Sequence, residues 1–181
     1  ATDWTAVTGF SGNVNSIAIH PTNPNKIAIA TTGSQKVYIS NNGGATWSSQ
    51  LFDLPSFSAL SLVWHNHSNR DVLYLGMNYG VYYLPYGDNS WLSYNTDLPN
   101  VQIGELDINF TNNKLYAGTY GRGLWKADLI VPTMAANNDD MVNAIAFVPS
   151  GFSTLSGQYN TNIGTPDGLN TSCTSAAPKN N

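Results

Sequence analysis

Charge is the first thing this chain lacks. Of 181 residues, 7 are Lys or Arg and 11 are Asp or Glu, so charged residues make up 10%. Globular chains ordinarily carry about 25%. Coiled coils and helical bundles need Glu, Lys, Arg and Ala in quantity, and this composition excludes them. The net charge is −4 and the basic residues are scattered. No phosphate-neutralising footprint results, which argues against nucleic acid as a partner. No apolar run approaches the roughly 18 residues of a membrane span. Cysteine is present only as Cys173, so no intrachain disulfide can form and the redox compartment stays open. The chain opens on Ala1, with neither Met nor a signal peptide. A processed N-terminus or an internal piece of a longer protein is therefore expected.

Polarity comes instead from Asn, Ser, Thr and Gly, with 23 Asn in all. Hydrophobic residues at 41% and aromatics at 12% suffice for a packed core. Such a balance fits an extracellular β-protein. The chain also repeats itself. Trp4, Trp47 and Trp91 are spaced by 43 and 44 residues, and Tyr38, Tyr82 and Trp125 by 44 and 43. Ile17, Leu62 and Leu106 are spaced by 45 and 44. The shared period of about 44 residues is that of propeller blades.

Within each repeat the apolar pattern predicts short strands bounded by Gly, Pro, Asn and Ser clusters. The first repeat predicts strands at Val14–His20, Lys26–Thr31, Lys36–Ser40 and Thr46–Leu51. The second predicts Leu60–His65, Val72–Gly76, Gly80–Leu84 and Trp91–Asn95. The third predicts Ile103–Phe110, Lys114–Gly118 and Leu124–Leu129, with no Trp strand after them. Before residue 130 no segment has a capped 3.6-residue period. The predicted class is all-β. Residues 1–129 should hold about three four-stranded blades, the last without its fourth strand. Residues 1–8 read as the outer strand of a preceding blade. A propeller closes with at least about four blades. The segment therefore reads as the C-terminal part of a larger propeller, its last blade completed by a strand from upstream of Ala1.

Ser40-Asn41-Asn42-Gly43-Gly44-Ala45-Thr46-Trp47 predicts a tight hairpin between a third and a fourth strand. Asn42 can bond back to local backbone N–H groups. Gly44 supplies a positive φ, and Trp47 should cover the hairpin base as core packing. A metal or sugar site at Ser40, Asn42, Gly44, Thr46 and Trp47 is the lesser reading; the structural role is preferred. Asp88-Asn89-Ser90-Trp91 reads as a degenerate version of this hairpin.

The first motif matches the Asp-box pattern, S-x-D-x-G-x-T-W, with Asn42 in the Asp position. Residues 10–129 resemble the Asp-box (BNR) propellers, a group that includes sialidases, sortilin-type receptors and xyloglucanase-type glycoside hydrolases. They are most similar to propellers of large secreted Bacteroidetes proteins. Three stretches carry the resemblance: Leu73-Tyr74-Leu75-Gly76 with Gly80-Val81-Tyr82-Tyr83, then Leu98-Pro99-Asn100-Val101, then Gly118-Thr119-Tyr120-Gly121-Arg122-Gly123-Leu124-Trp125. The last is similar to a closing blade. The resemblance implies secretion or attachment to a bacterial cell surface, with the type IX route as a common means of export.

Residues 130–136 read as an interdomain linker. Asn138-Asp139-Asp140-Met141-Val142-Asn143-Ala144-Ile145 resembles the opening of a pre-peptidase C-terminal β-sandwich module, so residues 137–181 are expected to begin such a domain. The resemblance implies a Cys at the place of Met141, paired with one near Cys173. Here that partner is absent, so Cys173 is expected as a free thiol or one paired outside this stretch. A piece of this size without metal or disulfide is too small to fold alone.

The catalytic inventory is thin. Glu105 and Asp107 share a strand face and could serve as the acid and base of glycoside hydrolysis. Their counterparts in the other repeats are Ser16 with Ala18 and Ser61 with Val63, so ordinary polar lining of a wet channel is the preferred reading. A sialidase clamps a carboxylate with several arginines. This chain has only Arg70 and Arg122. The catalytic loops of the xyloglucanase-type enzymes match no acid here. His65 and His67 could ligate a metal, but His20 recurs at the position of His65, which favours a turn-stabilising hydrogen bond. Asn138, Asp139 and Asp140 could hold calcium, yet a solvated strand entry is preferred. No catalytic residue, metal or cofactor is assigned.

Geometry offers better candidates. The turns between second and third strands share a propeller face with the loops joining consecutive blades. Those turns carry Asn78 and Tyr79 in one blade and Tyr120 and Arg122 in the next, with Phe57 in a joining loop. Rings beside amide and guanidinium donors suit a sugar or a peptide. The favoured function is a non-catalytic propeller segment mediating adhesion or recognition of a glycan or surface protein. The alternatives are the C-terminal half of a propeller glycoside hydrolase with its acids upstream, and a structural spacer in a surface assembly.

Overall fold

The computed structural model describes residues 3–132, all within one compact unit, Ala1–Thr133. These residues form eleven strands and no helix. The first blade contains β1 (Val14–Ile19), β2 (Ile27–Thr31), β3 (Val37–Ser40) and β4 (Ser48–Ser49). The second contains β5 (Ala59–His65), β6 (Val72–Met77), β7 (Val81–Pro85) and β8 (Leu92–Ser93). The third contains β9 (Ile103–Asn109), β10 (Lys114–Thr119) and β11 (Gly123–Asp128). Every sheet is antiparallel and runs in sequence order from the first strand outward. The all-β class and the blade repeat thus stand as expected. The sandwich expected over residues 137–181, with Met141, Cys173 and the acidic run at 138–140, lies outside the described residues.

The outer strands are shorter than predicted. Ladder pairing covers only Ser48–Ser49 and Leu92–Ser93, not Thr46–Leu51 or Trp91–Asn95. Each outer strand is exposed and begins just after a Trp, so little burial enforces more pairing. Residues 3–8 form no strand, and Trp4 is wholly exposed. No helix among the described residues is long and apolar enough to cross a membrane.

The core lies between the blades, where their faces stack. One apolar cluster joins blades one and two through Val37, Ile39, Leu62, Trp64 and Leu75. Another joins blades two and three through Tyr74, Val81, Ile103, Leu106 and Ile108. The inner strands stand side by side, β1 beside β5 and β5 beside β9. Ser16 Oγ accepts from Leu62 N at 3.0 Å, and one period later Ser61 Oγ accepts from Leu106 N at 2.9 Å. Ser61 is therefore not a wet channel residue; it is 1% exposed because its hydroxyl ties two blades together. A ladder irregularity recurs beside the same inner-strand position of each blade, after Val14, Ala59 and Ile103. It keeps Val14, Ile17 and Ile19, and their later counterparts, on one face.

Gly76 shows how closely the blades approach. A Cβ there would stand 2.7 Å from Ile103 Cγ2 and 2.9 Å from its Cβ. By register, the matching pair at the first interface is Ala30 with Ala59, both fully buried. Small faces medium at one interface, and smallest faces large at the next. Gly76→Ala should therefore cost about 1–3 kcal/mol through overpacking. Ile103→Ala added to it should recover part of that loss in urea denaturation. Simple additivity of the two changes would sink this account.

Candidate functional site

Backbone hydrogen bonds recur where the turns meet the loops. Thr32 N donates to Asn13 O at 2.9 Å, Asn78 N to Ser58 O at 3.2 Å, and Tyr120 N to Gln102 O at 2.9 Å. Each seats a turn between second and third strands against the segment leading into the same blade. The shared loop face follows from these bonds. In blade two the seated loops carry Phe57 and Tyr79, whose rings meet edge to face with centroids 4.8 Å apart. Together with Tyr82, Asn95 and Asn100 they line a cleft of about 490 Å³.

The two amides in this cleft differ. Asn95 Oδ1 accepts from Val81 N at 2.6 Å and its Nδ2 donates to Ser93 Oγ at 2.7 Å, so Asn95 builds the wall. Gly80, with φ +85°, permits this, because any Cβ there would lie 2.1 Å from Asn95 Oδ1. Asn100 is exposed at the rim and is left to present its amide. Tyr79 is 46% exposed and offers both a ring edge and a hydroxyl.

Of the sequence candidates, Tyr79 lines the cleft and Asn78 flanks it without lining it. Tyr120 and Arg122 occupy the exposed β10–β11 turn and do not line it. The Arg122 carbonyl accepts from Trp125 Nε1 at 2.9 Å, which shapes that turn. Tyr82, Asn95 and Asn100 were legible only as repeat anchors or turn residues; no local pattern marks them as one wall.

The hairpin at Ser40–Trp47 is closed by its own side chains. Ser40 Oγ donates to Asn42 Oδ1 at 2.9 Å and accepts from Gly44 N at 2.9 Å. Asn42 Oδ1 accepts from Thr46 N at 2.9 Å, and Asn42 Nδ2 donates to Thr46 Oγ1 at 2.8 Å. Gly44 has φ +91°. Trp47 is half-buried, edge-on to Phe10 at 5.5 Å, rather than in the core. The later hairpin works differently. Ser90 Oγ and Trp91 N donate to Asp53 at 2.6 and 2.7 Å, and Trp91 Nε1 donates to Gln50 O at 2.8 Å. Asp88 takes a two-pronged hydrogen bond from Arg70, at 2.6 and 3.2 Å. That second hairpin leans on the preceding blade, so it is not a copy of the first. The hydrogen bonds from Ser90 and Trp91 hold the Asp53 carboxyl below the usual range.

Glu105 and Asp107 are both exposed on β9. At the turn positions, His20 Nδ1 accepts from Asn23 N at 3.2 Å, and Asn109 Oδ1 accepts from Thr111 N at 3.0 Å. In blade two His67, not His65, takes this part, through a 3.1 Å bond from Asn69 N. Two residues further along, His67 reaches the turn that His65, packed against Tyr74, does not. His65 is buried, and desolvation first and His67 second push its pKa down. No cluster of three potential metal ligands occurs among the described residues.

An unforeseen polar centre lies between blades one and two. Lys26 Nζ donates to Asp71 Oδ2 at 2.7 Å and sits 3.2 Å from the Tyr86 ring centroid and 4.5 Å from that of Trp64. Opposite charges one period apart, at 26 and 71, were the only sequence signal. With Lys26 enclosed by aromatic rings, this centre is a structural tie.

No protein-family model and no curated protein matches the chain. Among solved structures it is similar to the GH74 enzyme of Niastella koreensis, at 18% identity and a TM-score of 0.48, over 63% of this chain and 21% of that one. It is also similar to an ancestral GH74 enzyme, at 20% identity and a TM-score of 0.46, over 66% of this chain and 18% of that one. The chain thus spans about a fifth of the length of each enzyme it resembles.

Proposed function

We propose that this chain contributes propeller blades to a secreted or cell-surface bacterial protein and recognises a glycan through the cleft at Phe57 and Tyr79. The edge-to-face pair beside the free Asn100 amide carries this reading. An apolar ring can stack on a sugar face while the amide and the Tyr79 hydroxyl fix its orientation. No catalytic group is assigned to the cleft. The internal bonding of Ser40, Asn42 and Thr46 supports reading that hairpin as an Asp-box of structural purpose. Adhesion to a glycan-bearing surface would follow.

Phe57→Ala with Tyr79→Ala should weaken glycan binding by roughly tenfold or more, since each ring contributes about 0.5–1.5 kcal/mol. Titration of the protein against a panel of oligosaccharides would measure it. Tyr120→Ala with Arg122→Ala forms a second arm, which tests whether the next blade's turn extends the site. Unchanged binding in the first variant would overturn the cleft as the site.

A second reading is a propeller glycoside hydrolase with its acids elsewhere in a longer protein. The same cleft supports it, because glycosidases orient their substrate as well as cleave it. Polysaccharide turnover by a longer polypeptide, abolished by changing an Asp or Glu outside this chain, would decide for the enzyme.

A further inference from the structure

The two ends of the blade stack mirror each other. At one end β1 exposes Ile17 and Ile19, 64% and 60% accessible. Their register counterparts, Leu62 and Trp64 in blade two and Leu106 and Ile108 in blade three, are at most 7% accessible. At the other end Leu124 on β11 is 71% accessible, whereas its counterparts Val37 and Val81 are at most 2%. The first end is the face that a blade turns toward its predecessor. The second is the face that a blade turns toward its successor. Both internal interfaces are built by joining one such face to the other.

The strands repeat the same complementarity. Tyr38 and Ile39 of β3 pair with Ser49 and Ser48, and Tyr82 and Tyr83 of β7 pair with Ser93 and Leu92. Trp125 and Lys126 of β11 are their counterparts, and among the described residues nothing pairs with the outer edge of β11. Trp4-Thr5-Ala6 stands one period before Trp47-Ser48-Ser49, yet it pairs with nothing, and Trp4 is fully exposed. One end therefore carries an outer strand without a blade, and the other a blade without its outer strand. Also at the second end, exposed Glu105 occupies the position from which Ser16 and Ser61 accept an N–H of the next inner strand.

We propose that a second copy of this chain covers both faces, head to tail, closing a six-bladed ring. Thr5 and Ala6 of each copy pair with Lys126 and Trp125 of the other. Ile17 and Ile19 of each pack against the Leu124 face of the other, and Glu105 accepts the N–H of Ile17. The contact is heterologous and self-complementary in sense, and two copies close it. Three blades cannot form a ring alone, whereas six lie within the range of about four to eight that propellers use.

Light scattering on the full 181-residue chain tests this. The expected mass is twice the 19.5 kDa of one chain. Ile17→Glu and Leu124→Glu lie at opposite ends and at exposed positions, so each should give a folded species of one chain's mass, checked by far-ultraviolet circular dichroism. Mixing the two variants should restore a two-chain species through the one contact that both leave intact. A single-chain mass for the unaltered protein overturns the proposal and leaves blades of a longer polypeptide as the occupant. A dimer broken by Ile17→Glu but indifferent to Leu124→Glu overturns the head-to-tail arrangement. Open-ended oligomers overturn the closed ring.

Discussion

Replacing Asp71 by Asn should cost about 3–5 kcal/mol of folding stability, the range for breaking a buried ion pair by removing one partner. The substitution preserves shape and removes only charge. Lys26 would then keep its ammonium group in a site where its side chain is 6% accessible. The rings of Tyr86 and Trp64 would still attract that charge, at about 0.5–2 kcal/mol, and so offset part of the loss. Adding Lys26→Met should return most of the stability, because an apolar stem needs no counter-charge there. Urea denaturation of both variants measures the difference, provided the slope with denaturant is unchanged. A loss below about 0.5 kcal/mol, typical of surface changes, would show the pair to be idle.

The same carboxyl gives the native state an acid limit. Burial by itself would raise the Asp71 pKa, but the hydrogen bond and charge of Lys26, with His20 nearby, outweigh it and hold it low. His20 Nε2 lies 3.0 Å from Asp71 Oδ2 without hydrogen-bond geometry, so its part is electrostatic. The unfolded chain therefore takes up the proton first, near the ordinary aspartate pKa of about 4. The stabilisation is fully present above that pH and is lost as pH falls through the lower folded value. In the Asp71→Asn variant this part of the acid sensitivity should vanish. The depressed His65 pKa acts in a separate and higher window. Its neutral form is favoured in the fold, so stability starts to fall below about pH 6.5, where the unfolded imidazole gains its proton.

Trp64→Ala should be about as damaging, at about 3–5 kcal/mol. Trp64 is 1% accessible and stands where β5 meets the first blade. Its ring lies 5.6 Å from that of His20 and 6.1 Å from that of Tyr86, so truncation opens a cavity that rigid strands on both sides cannot fill. Trp64→Phe should lose less, since the buried indole N–H has no acceptor to give up. Trp64→Ala and Asp71→Asn share Lys26 as a neighbour, so together they should cost less than the sum of the two. Thermal or urea unfolding would show this. Full additivity would mean that the indole and the ion pair stabilise the interface independently.

Much of the fold was legible because period and alternation are local properties. Trp47 and Trp91, Tyr38 and Tyr82, and Leu62 and Leu106 mark the same positions in successive blades, and the strand centres fall where the apolar runs lie. Strand ends were less legible. The outer strands shrank because pairing there depends on the neighbouring sheet edge and not on their own composition. The candidate site was half legible. Phe57 and Tyr79 stood out as exposed-loop aromatics, but the cleft wall needed Asn95 to turn inward onto Val81, and Tyr120 and Arg122 fell to another blade.

What the sequence determined alone is the repeat, the all-β class and the tight hairpin at Ser40–Trp47, since each rests on residues within one period of one another. What the tertiary structure decided lies between periods. The burial of Ser61, the enclosure of Lys26 by Asp71, Trp64 and Tyr86, and the exposure of Ile17 against the burial of Leu62 all belong to this second class. Identical positions in the repeat acquire different fates according to whether a neighbouring blade is there to desolvate them. Burial is a property of the partner as much as of the residue.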